Sequence, residues 1–220
     1  MSLDRQHSFW GSLSPLGGLS GAGLLVMASA RLSWAVMVAG CLFWVYGLTT
    51  FAFAYLCFGI KPKIFPLEGR KYVFTCIASF FGGIYILLLW LLCPLAAFEV
   101  FFLLLLVPLF CASSGIVEQI LSVPENTNID VANDVSDAVS QAAVLAGLII
   151  VFSIVREPLS YCSLSLPGTA GGLVTIMYFK SNSFFPIGIF ASSAGALMLL
   201  GYIICLYQYG KTVVNGGNIK

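Results

Sequence analysis

Charged side chains are few along this chain, and long uncharged runs separate them. No residue is charged from Leu32 to Ile60, from Tyr72 to Phe98, from Val100 to Val117, from Ala138 to Val155 or from Ser181 to Gly210. A further run lies between Arg5 and Arg31; it contains His7, Trp10 and the glycines Gly17, Gly18, Gly21 and Gly23. An apolar helix needs about 20 residues to cross the hydrocarbon core of a bilayer. The pattern therefore predicts six transmembrane helices. Two connectors are hydrophilic: the short basic one from Lys61 to Lys71, and the acidic one from Ser122 to Asp137. Between Glu157 and Lys180 the chain is again uncharged, but Pro158, Pro167, Gly168, Gly171 and Gly172 punctuate it. That stretch predicts a loop resting on the protein, with a re-entrant path or a seventh span as alternatives.

Composition agrees with lipid as the main solvent. Hydrophobic residues make up 60% of the 220 residues and charged residues 9%, against about 25% charged in an ordinary soluble domain. The expected fold is an all-α integral membrane protein in a single transmembrane domain, 1–220. A formal net charge of +1 gives no field to recruit nucleic acid. Asp4, Arg5 and His7 precede a Gly- and Ser-rich stretch, so no cleavable signal peptide is expected; no lipidation signal stands out at either end. With six spans, Arg5, Lys61, Lys63, Arg70, Lys71, Lys211 and Lys220 share one side, and Arg31, Arg156 and Lys180 share the other. Basic residues favour the cytoplasm, which places both termini there.

Three spans, a break near Glu99 and three more suggest two inverted repeats, about 8–95 and 97–210. The first helix of each half carries small or helix-breaking residues: Gly17 to Gly23 in one, Pro108 and Ala112-Ser113-Ser114-Gly115 in the other. Interrupted helices at matching places point to a midplane site; close packing through small residues is the alternative.

Chemistry-bearing residues are sparse. His7, the sole histidine, lies in a polar tail, so no Ser–His–Asp set can form at the membrane centre. No glycine-rich loop follows a strand, so nucleotide binding is not expected. The seven cysteines, Cys41, Cys57, Cys76, Cys93, Cys111, Cys162 and Cys205, form no CxxC pair and read as small hydrophobes. Glu118, beside the fourth span, is a candidate ion site, or simply marks the end of that span. Arg156-Glu157 ends the fifth span; it reads as a lock between a helix end and a loop, a subunit contact, or an arginine capping helix carbonyls.

Several segments together resemble the Rnf–Nqr family of membrane subunits, nearest to the E subunit of Rnf and the D subunit of Nqr. They are Phe9-Trp10 through Thr50, Pro108-Leu109, the series Asp137, Ser140 and Arg156-Glu157, and Pro186 to Gly201 with Gly188, Phe190, Leu197 and Met198. The resemblance implies a subunit of an ion-translocating ferredoxin:NAD⁺ oxidoreductase or NADH:quinone reductase in a bacterial inner membrane. It implies partner membrane subunits, including a homologous six-helix subunit of opposite orientation. It also implies a shared [2Fe–2S] cluster held by two cysteines from each subunit. The positions matching those cysteines are Gly23 and Ser114. Cys111, about one helical turn from Ser114, is the candidate ligand in a shifted register. Two functional readings follow: a structural and electron-relay subunit of a redox-driven ion pump, or a cluster-free scaffold or transporter built on the same inverted repeats.

Overall fold

The computed structural model describes residues 15–59, 67–113, 131–168, 172–178 and 187–216. Among them, six α-helices follow in order: α1 (Pro15–Ala28), α2 (Leu32–Gly59), α3 (Leu67–Leu92), α4 (Pro94–Ser113), α5 (Val131–Tyr161) and α6 (Ser193–Gly216). An antiparallel hairpin of β1 (Ser163–Gly168) and β2 (Gly172–Tyr178), then a 3-10 turn at Gly188–Ala191, separate α5 from α6.

Four helices are long and apolar enough to cross a membrane, over Leu32–Leu56, Tyr72–Leu92, Pro94–Ala112 and Val135–Tyr161. The apolar part of α6, Ser193–Leu206, is shorter, and α1 has 14 residues. The chain is a helical, multi-pass membrane protein by the length and apolarity of these segments.

Helix α2 forms the centre and packs on α5, α3 and α4. Small residues let α2 and α5 approach: Ala35 and Ala39 on one, Ala138, Ala142 and Ala146 on the other, are all buried in one core. The two run antiparallel, with Gly47 beside Val139 at one level and the Leu32 amide at Glu157 near the end. Helices α3 and α4 fold back on each other through a single residue, Cys93. Its amide still donates to the Leu89 carbonyl, and its carbonyl accepts from Ala97, so the reversal leaves few backbone groups unpaired. Pro94 opens α4, where its missing N–H and fixed φ are tolerated.

Three sequence expectations are revised. Helix α1 runs unbroken through Gly17, Gly18, Gly21 and Gly23. At Gly21 the glycine serves close packing, since a Cβ there would lie 2.8 Å from the Phe110 ring. Helix α4 likewise begins before Glu99 and continues through Pro108 to Ser113. The described part of the 157–180 segment is not an irregular loop: α5 passes through Arg156-Glu157-Pro158 to Tyr161, and the two strands follow. Ser160 donates its hydroxyl to the Arg156 and Glu157 carbonyls in that last turn. Cys162 then ends the helix in a left-handed conformation, φ 51°, the backbone state that commonly closes helices.

Pro108 is seated against a glycine of the neighbouring helix. A Cβ on Gly82 would come 2.5 Å from the Pro108 ring, whereas a Cβ on Gly83 meets nothing within 4 Å. Gly82→Ala is therefore expected to destabilise the detergent-solubilised protein by about 1–3 kcal/mol, because a rigid ring cannot swing aside. Gly83→Ala should leave the thermal midpoint level or slightly higher. Equal midpoints for the two variants would contradict this seating.

Candidate functional site

Apart from Thr49, Thr50 and Arg70, the buried polar groups among the described residues gather at one end of the bundle, where α1 and α5 finish and α2 begins. Ser29, Ser33, Ser153, Arg156, Glu157, Ser160 and Ser165 are all buried. Arg156 and Glu157 are 2% and 1% exposed. They are adjacent on α5, yet they serve different elements.

Arg156 has five N–H groups, and each finds an oxygen. Nε donates to the Phe190 carbonyl at 2.8 Å. Nη1 donates to the Val26 carbonyl and, at 3.1 Å, to Ser29 Oγ. Nη2 donates to the Ala191 and Ser192 carbonyls at 3.1 and 3.2 Å. Val26 is in the last turn of α1; Phe190, Ala191 and Ser192 close the 3-10 turn. Carbonyls at helix ends lack intrahelical partners and carry partial negative charge. A buried guanidinium is thus held by the electronegative ends of two helical segments. A further bond, Ile187 N–H to the Leu159 carbonyl at 3.0 Å, fixes the second of them to α5.

Glu157 works at the opposite pole. Its Oε2 accepts from the Leu32 amide at 2.8 Å, at the start of α2, where backbone N–H groups favour an anion. Its Oε1 accepts from Ser165 Oγ and so fastens β1 to the bundle. Together the pair grips both sides of the α1–α2 turn. The cation holds the helix that ends there, and the carboxylate holds the helix that begins.

A shallower polar rim surrounds this clamp. Trp34 Nε1 donates to Glu99 Oε2 at 3.1 Å, and Arg31 Nη1 lies 3.9 Å from the same oxygen. The Arg31 guanidinium also sits over the rings of Trp34 and Tyr161, at 5.8 and 5.3 Å. Aromatic and basic side chains mixed in this way are typical of the membrane–water interface. Glu99 therefore marks the level of the boundary, not the start of its helix.

The other sequence candidates lie elsewhere. Asp137 is 20 residues before Glu157 on α5, which places it about 30 Å away; its carbonyl accepts from Ser140 Oγ at 2.8 Å. Pro108 and Cys111 are in α4, with Cys111 fully buried in the main core. Gly23 is in α1 beside open space. Ser114 and Glu118 fall outside the described residues. Among the described residues, no three His, Cys, Asp or Glu side chains come together as a metal site. Gly23 offers no ligand atom, and Cys111 is buried in the main core, where Cys41 also lies. Gly23 therefore does not fit a ligand position of an iron–sulfur cluster.

Sequence reasoning found Arg156 and Glu157 but not their partners. Most of those are backbone carbonyls and one amide, which leave no trace in residue type. Ser29 and Ser165 carry only the weak signal of serines near helix ends.

No protein-family model matches the chain, and no curated protein matches it significantly.

Proposed function

We propose that this chain is a structural, cluster-free membrane subunit of a larger electron-transport assembly, of the ion-translocating kind that its sequence resembles. In this reading it has six helices in two inverted halves and lies in a bacterial cytoplasmic membrane. Both termini and the hydrophilic connectors face the cytoplasm, and the Arg156–Glu157 clamp faces the opposite side.

One observation carries the reading. The two most deeply buried charged groups spend all five guanidinium N–H groups and both carboxylate oxygens on the chain's own helix ends and hairpin. Buried ionisable groups in membrane proteins usually mark ion paths or relays. Here their bonding capacity goes into architecture, as a scaffold requires. A second reading, a transporter on the same fold, draws on the way α1 and the 3-10 turn both end at Arg156. Interrupted helices that converge are a transporter device, but the cation between them here is a fixed side chain.

Mild-detergent purification from native membranes, followed by native mass spectrometry, iron analysis and EPR, tests the proposal. Co-purifying redox subunits with no iron assignable to this chain is the expected result. A reducible [2Fe–2S] signal lost in Cys111→Ala would make the chain an electron carrier and overturn it. A solitary chain that moves solute in vesicles would replace it with the transporter reading.

A further inference from the structure

The hairpin between α5 and α6 has its polarity reversed. A ribbon lying on a protein in water turns apolar side chains inward and polar ones outward. Here β1 sends Ser165 inward, buried against Glu157, and turns the next residue, Leu166, outward. Its cross-strand partner Val174 shares that outer face and is 57% exposed. Ile176, Met177 and Tyr178 are also exposed, and Ile176 falls where the register shifts. From Leu159 to Phe179 no residue is charged.

Such an outer face needs an apolar neighbour, and the surrounding surface indicates which. Strand β2 lies against α4. The start of that helix exposes Leu95, Phe98, Phe101 and Phe102 within a segment long enough to cross the bilayer. The hairpin thus continues a lipid-facing surface. The Arg31–Trp34–Glu99–Tyr161 rim at the same end of the bundle fixes the level as interfacial. An open strand edge could not lie deeper, because its unpaired N–H and C=O groups need water or headgroups. Nor does β2 carry the charge or proline that guards an edge exposed to water.

We infer that the hairpin is a membrane-embedded β-ribbon whose outer face, Leu166, Val174 and Ile176, contacts lipid at the headgroup–acyl boundary. On the inner side, Ser165 of β1 covers Glu157. The ribbon is held to the protein through Ser165 and to the bilayer through its apolar side.

The test places an encoded azido residue at Val174 or Ile176 and couples a nitroxide to it. The whole chain is then reconstituted in phosphatidylcholine–phosphatidylglycerol vesicles. Power-saturation EPR compares collisions with oxygen, which concentrates in lipid, and with a water-soluble nickel chelate. The same label at Phe98 supplies the lipid reference. Oxygen collisions well above nickel collisions at both hairpin positions, close to the Phe98 ratio, are expected. Nickel collisions in excess would put the ribbon in water and overturn the inference. Low collisions with both reagents would mean that protein covers the face, whether a partner or a second copy, and would equally overturn it.

Discussion

Arg156→Ala is expected to be the most damaging single side-chain truncation in the described bundle. It removes five donors at once: the Phe190 and Ala191 carbonyls lose the guanidinium outright, while the Val26 carbonyl keeps the Ser29 hydroxyl and the Ser192 carbonyl keeps the Ala196 amide. An unsatisfied buried polar group costs about 1–3 kcal/mol. The losses overlap, because the freed ends can shift together, so the total is on the order of 5 kcal/mol. Native proteins are stable by only about 5–15 kcal/mol. The variant should accumulate poorly, and what is recovered should unfold at a much lower temperature in detergent. Arg156→Lys is the informative partner. It keeps the charge but offers three donors from one point instead of five in a planar fork. It should regain less than half of the lost stability. A midpoint for Arg156→Ala within a degree or two of the parent would refute the clamp.

The second large effect concerns Gly195, in the first turn of α6. A Cβ there would collide with the Ile189 carbonyl and come within 2.8 Å of the Phe190 Cα, all backbone atoms of the 3-10 turn. No rotamer change relieves that clash. Ser192 makes the corner tight: its Oγ accepts from the Gly195 amide at 3.2 Å, in the manner of a helix N-cap. Gly195→Ala must therefore push the 3-10 turn away, and with it the Phe190, Ala191 and Ser192 carbonyls that Arg156 holds. A loss of at least about 3 kcal/mol is expected, at the upper end for overpacking. The effect should be strongly non-additive with Arg156→Ala, because both changes break one joint. Additive midpoints in the double variant would mean that the corner and the clamp are independent.

These residues show where the chain was readable. The uncharged runs marked the helical segments well, since lipid demands apolarity along the whole length of a span. Charges served less well as boundaries. Glu99 sits inside α4 because Trp34 and Arg31 receive it at the rim, so it reports depth and not a helix end. Proline misled in the same way. Pro158 suggested a loop, but α5 continues to Tyr161: the ring costs the helix the bond to the Ile154 carbonyl, while the Pro158 carbonyl still accepts from the Cys162 amide. The hairpin does carry a signal in the sequence: Val174, Thr175, Ile176 and Tyr178 are strand formers, with Gly168 and Gly172 at the strand ends. Its apolarity hid it among membrane segments. The role of Gly195 had no such signal, because its cause is backbone from an earlier segment.

The grip of Arg156 on α1 also bears on how the protein is made. Val26 and Ser29 leave the ribosome about 130 residues before the guanidinium that binds them, and the other carbonyls in the joint arrive some 35 residues later still. Throughout synthesis the end of α1 must therefore rest on its own short-range bonds, from the Ser29 and Ala30 amides and the Ser29 hydroxyl, until the charged partner that ties it to the bundle arrives. The first of the described helices is thus among the last to be locked. A chain that stops before Ser192 would insert its long helices and still lack a finished beginning.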